Sequence, residues 1–213
     1  MKLLVASNNA KKLGELEKIL ADAGIDSVEL VPLRDVEPYD EPVEDGRTFA
    51  DNALIKAHAG AQATGLACIA DDSGIAVEEL NGMPGVLSAR WSGQHGNDAA
   101  NNELLLAQME HVPSERRQAA FVSVCALVTP AGQEHVAEGR WPGTLLTAPR
   151  GEAGFGYDPL FQPEGDTRSS AEMTPEEKNA ASHRGRALAQ LVPVIEKLAA
   201  SRELAPKLVA ARA

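Results

Sequence analysis

The sequence predicts an α/β protein built on a mixed β-sheet, and three observations point there. Short apolar runs without helical period (residues 2–6, 28–33 and 66–70) alternate with stretches whose apolar residues recur at steps of three and four. Two longer runs, Gln118–Val128 and residues 134–141, are separated by the turn cluster Thr129-Pro130-Ala131-Gly132, the pattern of a long antiparallel hairpin. No repeat or low-complexity segment interrupts the alternation. Strand order is not legible from one sequence.

The first run stops at Ser7-Asn8-Asn9, residues that bond their own backbone and cap helices, so strand, loop and helix follow in turn. Leu13, Leu16, Leu20 and Ala23 form the helix's apolar stripe, and Gly24 stops it. Residues 28–33 return as a strand. Residues 34–46 are acidic and proline-punctuated, with Glu41, Glu44 and Asp45 beyond Pro38, and read as a loop. Thr48 caps a second helix whose face holds Phe49, Ala53, Lys56, Ala57 and Gly60, with Gly65 after it. Residues 66–70 form a buried strand that ends in Asp71-Asp72-Ser73-Gly74.

Residues 75–80 alternate moderately, Gly82-Met83-Pro84-Gly85 breaks the chain, and residues 98–111 resume a helix through Leu104, Leu105 and Met109. After the hairpin, residues 151–159 are too rich in glycine for regular structure and read as a functional loop. Thr174-Pro175-Glu176-Glu177 is a capping box with proline at the first helical position. One unbroken helix would aim Lys178, His183 and Arg184 at about 0°, 140° and 240°. Ser182 is a good second cap, which restarts the helix with His183 and Arg184 in its first turn. Leu188, Leu191, Val192, Ile195 and Leu198 then give the final helix its stripe, with a bend expected at Pro193 and a frayed extension from Ala199 on.

The 213 residues suit one domain, residues 1–213, around one core. Twenty Lys and Arg against 31 Asp and Glu leave a formal charge of −11, which speaks against duplex nucleic acid as a partner. A local nest of cations can still bind one small phosphorylated molecule. Cys68 and Cys125 lie in apolar stretches without metal-site or redox spacing, and read as buried reduced thiols. Neither a secretory leader nor a membrane-spanning run is present in the sequence, so a cytoplasmic protein with no membrane partner is expected.

The common nucleotide signatures are absent: no G-x-x-x-x-G-K-[ST], and no G-x-G-x-x-G after the first strand. Ser7-Asn8-Asn9-Ala10-Lys11-Lys12 offers another anion cradle, a strand-to-helix turn with free amides and a nearby cation, although a capped surface helix looks the same. Asp71 and Asp72 are either a solvated turn or part of a magnesium site, to which the loop at 41–45 can add a carboxylate. Lys56 is either a surface lysine or a phosphate ligand. Phe155 and Tyr157, flanked by glycines, suit stacking on a base or anchoring of their loop.

In their order and spacing these pieces resemble one family. Ser7-x-Asn9-x-x-Lys12, Ala70-Asp71-Asp72-Ser73-Gly74, Gly82-x-Pro84-Gly85 before Ser88-Ala89-Arg90, Gly154-Phe155-Gly156-Tyr157-Asp158-Pro159 and Ser182-His183-Arg184 are similar to the motifs of the inosine/xanthosine triphosphate pyrophosphatases. The resemblance spans residues 2 to about 198; Trp91 stands where relatives often carry a smaller aromatic.

The resemblance implies an elongated mixed sheet flanked by helices, with the active-site cleft between two lobes. It implies magnesium-dependent hydrolysis of ITP, dITP and XTP to monophosphate and pyrophosphate, which keeps these bases out of DNA and RNA. Ser7, Asn8, Asn9 and Lys12 match the triphosphate-binding turn, and Lys56 a second phosphate-facing lysine. Asp72 matches the catalytic carboxylate and a metal ligand, Ser73 touches substrate beside it, Asp71 supports it, and Glu44 matches a second metal ligand. Phe155, Gly156, Tyr157, Asp158, Lys178, His183 and Arg184 match the base pocket. A homodimer is implied as well. The alternatives are a Maf-type pyrophosphatase for other modified nucleotides, which Ser182-His183-Arg184 disfavours, and a non-catalytic nucleotide-binding protein.

Overall fold

A computed structural model describes residues 1–210, with side chains through Ser201. Six strands form one mixed sheet in the order β2-β1-β3-β4-β5-β6. β1 (Lys2–Val5) lies parallel to both β2 (Glu29–Pro32) and β3 (Ala67–Val77). From β3 onward pairing is antiparallel, through β4 (Gln118–Val128), β5 (Glu134–Leu145) and the short β6 (Phe161–Pro163). The expected hairpin is therefore present, with Gln118 opposite Thr144 at one end and Val128 opposite Glu134 at the other.

Helices form where caps and periodicity coincide. Asn9 caps α1 (Ala10–Asp22) by accepting from Lys11 N at 3.0 Å, and Thr48 with Asp51 closes a capping box at the start of α2 (Phe49–Thr64). α3 covers Asp98–Gln108, and the Thr174 box opens α4 (Pro175–Ala181). Ser182 separates α4 from α5 (His183–Ala210), and its Oγ accepts from Gly185 N at 3.0 Å, so the second cap falls where the sequence places it. α5 runs through Pro193 as one helix, and its backbone stays helical past Ala199 to Ala210, where a frayed extension was expected. The end of that extension, residues 211–213, lies outside the described residues.

One expectation is corrected. Asp71-Asp72-Ser73-Gly74 is not the end of a strand: β3 continues through it as 11 residues, because β4 pairs with every position from Cys68 to Val77. Gly74 marks a close approach rather than a turn, since a Cβ there would lie 2.2 Å from Ser88 Oγ.

Successive strand residues face opposite sides of a sheet, and this alternation divides the core. Leu3, Val5, Ile69, Cys125 and Leu127 pack under α1 and α5 with Leu16, Leu188 and Ile195. Leu4, Cys68, Ala70, Val124 and Ala126 pack under α2 with Ala53 and Ala57. Each fully buried Leu, Ile or Val contributes about 1.5–3 kcal/mol. A third cluster at the far end of the long strands joins Ile75, Val77, Trp141, Leu145, Tyr157 and Phe161 to Leu105 of α3 and to Met109, which caps its C-terminus. Both cysteines are buried and unpaired, and burial pushes each thiol up to about 12. No helix among the described residues is long and apolar enough to cross a membrane.

Candidate active site

The site begins where β1 runs out. The last β1–β3 pair is Val5 with Ile69, after which Ala6 N donates to Ile69 O at 2.9 Å and the chain turns away through Ser7. β3 goes on alone along that edge until Ser88 Oγ meets the backbone of Ile75. Asp71, Asp72 and Ser73 occupy this open stretch, between the two halves of the core.

Because their side chains alternate, the two acids serve opposite faces. Asp71 turns toward α1 and α5. Lys12 Nζ reaches its Oδ2 at 2.6 Å and Arg184 Nε lies 3.4 Å from its Oδ1. Burial alone would raise the Asp71 carboxyl, but the charges of Lys12 and Arg184 outweigh it and hold the group below its ordinary value. Lys12 thus meets Asp71 and not Asp72.

Asp72 turns toward α2. Its Oδ2 accepts from Asn52 Nδ2 at 3.0 Å, its Oδ1 from the Ser73 backbone at 3.1 Å, and Lys56 Nζ stands 3.8 Å from Oδ1. The same Lys56 nitrogen is 3.1 Å from Glu44 Oε2, so the loop acid and Asp72 flank one ammonium group. Burial is the largest influence on the Asp72 carboxyl, and with Glu44 nearby it prevails over Lys56 and Asn52, leaving Asp72 above the usual carboxylate range. Two neighbouring aspartates are therefore shifted in opposite directions. Lys56 also lowers Asp71, which joins the two faces around the open edge.

Ser7, Asn8 and Asn9 border this edge. Ser7 Oγ accepts from Asn9 N at 3.2 Å, Asn8 is exposed, and Asn9 is committed to capping α1. Ser73 is exposed beside Asp72.

The residues expected at the base divide into presenters and supports. Phe155 is 77% exposed, with Lys178 Nζ 5.7 Å above its ring centroid. Asp158 is buried, and its carboxylate is filled: Oδ1 accepts from Ser170 Oγ at 2.8 Å, while Oδ2 accepts from Phe155 N at 2.9 Å and Lys178 Nζ at 2.5 Å. It shapes the loop rather than offering an acceptor. Tyr157 is buried in the third core cluster with its hydroxyl donating to Ser88 O at 2.8 Å, so of the two readings offered for it, this ring anchors its loop and Phe155 is the aromatic left exposed. Gly156 is held at both ends of its peptide by α3, where Asp98 Oδ2 accepts its N–H at 2.6 Å and Asn102 Nδ2 donates to its C=O at 2.8 Å.

His183 and Arg184 open α5 on the Asp71 side. The His183 ring stacks on Phe121, with centroids 5.5 Å apart, and burial pushes its pKa down to about 4, against the pull of Glu15, Asp158 and Asp71. The imidazole is neutral at neutral pH, and its buried Nδ1 has no hydrogen-bond partner among the described residues. Arg184 is only 7% exposed. Its Nη1 donates to Glu15 Oε2 at 2.7 Å and to Lys12 O at 3.1 Å, and Nη2 has no hydrogen-bond partner among the described residues.

Sequence reading missed Asn52, Glu15, Asp98, Asn102 and Ser170. Two of these had a signal: Asn52 lies four residues before Lys56, and Glu15 three after Lys12, each on its cation's helical face. The other three are brought in by packing alone.

The Ham1 family profile matches residues 3–194. The chain is 75% identical over 200 residues to a dITP/XTP pyrophosphatase of Corynebacterium diphtheriae, an overlap of 92% of this chain and 97% of that protein. It is 60% identical over 198 residues to a dITP/XTP pyrophosphatase of Mycobacterium tuberculosis, covering 93% and 97%. Among solved structures, a nucleoside-triphosphatase / dITP/XTP pyrophosphatase from Mycobacterium abscessus superposes with a TM-score of 0.81 at 63% identity, over 92% of this chain and 100% of that one. The Staphylococcus aureus Ham1 protein gives 0.84 at 34% identity, over 92% and 99%.

Proposed function

The chain belongs to the Ham1 family of nucleoside triphosphate pyrophosphatases, and on that premise we propose that it hydrolyses ITP, dITP and XTP between the α and β phosphorus. The products are the nucleoside monophosphate and pyrophosphate, and the role is to clear deaminated purines from the precursor pool of DNA and RNA. One observation carries this reading. Asp72 and Glu44 gather about Lys56 on one face of β3, Asp71 gathers Lys12 and Arg184 on the other, and both groups border the edge that β1 leaves open.

Asp72 is suited to accept the proton of the attacking water, since it stands at the open edge with its two oxygens oriented by Asn52 Nδ2 and the Ser73 backbone. Lys12 and Lys56, paired with Asp71 and Glu44 in the free protein, are placed to exchange those carboxylates for triphosphate oxygens and to stabilise the leaving pyrophosphate. Glu44 and Asp72 would hold the magnesium. Two carboxylates that already converge on one cationic nitrogen suit an ion that takes one or two such ligands and completes its shell with water and phosphate. Bound there, magnesium supplies charge neutralisation and a more acidic water.

Arg184 supports selection of the base. Glu15 and Asp71 fix its plane, and the unengaged Nη2 is a donor that cannot lose its proton. It donates to the 6-keto oxygen of hypoxanthine or xanthine and opposes the 6-amino group of adenine, another donor. Polar mismatch of this kind rejects the wrong ligand by up to ~10⁴.

Phe155 supplies the stacking surface. Phe155→Ala is expected to leave the thermal midpoint unchanged, because the ring is exposed, and to raise KM for ITP about tenfold, in keeping with base stacking worth about 1–3 kcal/mol. Initial rates and a melting curve on the variant check both halves. The activity itself is tested by incubating the protein with magnesium and ITP, dITP, XTP, dGTP or dATP and resolving the products. Pyrophosphate and monophosphate from the first three support the reading; orthophosphate and diphosphate, or preferred hydrolysis of dATP, overturn it.

A further inference from the structure

Asn52 belongs to none of the nucleotide-binding motifs, yet it is 1% exposed and both ends of its amide are engaged. Its Oδ1 accepts the Gly46 backbone N–H at 2.9 Å, and its Nδ2 donates to Asp72 Oδ2 at 3.0 Å. Chemistry sets the orientation: a backbone N–H can only donate, so the oxygen must face Gly46 and the NH₂ must face the carboxylate.

Gly46 follows Glu44 by two residues and is pressed onto the start of α2. A Cβ at Gly46 would sit 2.5 Å from Asp51 Cβ and 2.6 Å from Asn52 Oδ1. Asp51 Oδ2 accepts the next two backbone N–H groups, Arg47 at 3.0 Å and Thr48 at 2.9 Å, so the loop's return into α2 is pinned residue by residue. On the other side, Asp72 has one oxygen directed by Ser73 N and the other by Asn52. Lys56 spans the same two acids, but through a flexible stem and at 3.8 Å from Asp72.

We propose that Asn52 is a positioning residue that sets the Glu44 loop in register with Asp72, one buried amide tying the Gly46 backbone to the Asp72 carboxylate. The proposal rests on the assignment of Asp72 and Glu44 to the hydrolytic site. Asn52 is too deeply buried to touch substrate, so it acts through these two acids. Substrate affinity, which depends on the lysines, Phe155 and Arg184, is left largely intact when it is lost.

Full-length wild type, Asn52→Ser and Asn52→Asp are compared in two measurements: steady-state pyrophosphate release from ITP, and amide hydrogen exchange without nucleotide, read at Gly46. Both variants are expected to lose about 10–100-fold in kcat with KM for ITP within about threefold of wild type, the usual effect of removing a group that orients a ligand-bearing carboxylate. The serine side chain cannot span both partners, so Gly46 should exchange faster. The aspartate keeps an acceptor for Gly46 but has no donor for Asp72, so exchange should stay near wild type while kcat falls. A kcat within about twofold of wild type, or a loss confined to KM, overturns the proposal. So does a wild-type Gly46 amide that exchanges like an open loop, a result that needs no variant to fold. Wild type that makes no pyrophosphate from ITP would sink the proposed function instead, while the exchange data still decide whether Asn52 holds the loop.

Discussion

Asp72→Asn is expected to abolish turnover while leaving the protein folded and able to bind ITP. If Asp72 accepts the proton of the attacking water, an amide in its place loses about 10²–10⁴-fold in kcat. The substitution is nearly isosteric; the amide oxygen can still accept from Asn52 Nδ2, while the NH₂ faces the Ser73 N–H and that hydrogen bond is lost. Stability should change little. The native carboxyl is held above its ordinary value of 3.8, with burial the leading cause, so folding favours the protonated form. The stability linked to such a group is complete below pH ~4 and is lost as pH rises through the raised native value, so at neutral pH the ionised side chain works against the fold. A neutral amide escapes that cost, which offsets the hydrogen bond lost at Ser73 N, and the thermal midpoint of Asp72→Asn should stay close to that of wild type. Single-turnover kinetics, calorimetric titration with ITP and a melting curve read the three claims. Near-normal hydrolysis would remove Asp72 from its role.

Asp71→Ala should do the opposite. Asp71 is the shared partner of Lys12 and Arg184, and with it gone two cations face each other across a buried gap, one of them a guanidinium with little contact with water. Removing one member of a buried ion pair costs about 3–5 kcal/mol, and the partial exposure of Lys12 places this case toward the lower end. Urea unfolding monitored by circular dichroism measures the loss, and a variant within about 1 kcal/mol of wild type would show the cluster to be dispensable. The pH dependence has the reverse sign to that of Asp72. The native Asp71 carboxyl lies below 3.8 even though burial, its largest influence, raises it, because Lys12 and Arg184 prevail. Its contribution is therefore present above pH ~4 and is lost as pH falls through the depressed native value. Wild type should lose stability in acid more steeply than Asp71→Ala.

The contrast between these neighbours was not legible in the sequence. Read as a turn after a strand, Asp71-Asp72 has no faces; read as the middle of β3, the same dipeptide delivers one carboxylate to α1 and α5 and the other to α2. What keeps the strand going is β4, whose Cys125 and Val124 lie opposite the two acids. Tyr157 and Asp158 were settled in a similar way. The sequence left stacking and anchoring open for Tyr157 and offered Asp158 only through the family resemblance; the carbonyl of Ser88 and the hydroxyl of Ser170 draw both side chains inward and leave Phe155 as the exposed member.

By itself the sequence determined the hairpin, the starts of α1, α2, α4 and α5, and, through five ordered motifs, the family. These are local or linear properties: a cap acts within three or four residues, a helical stripe repeats every turn, and motif order needs no coordinates. The tertiary structure decided which charge meets which. Lys12 finds Asp71 59 positions away, and Arg184 reaches back 169 positions to Glu15. Such pairs depend on sheet register and on how α1, α2 and α5 pack over β3, and no spacing within a single helix or strand encodes them.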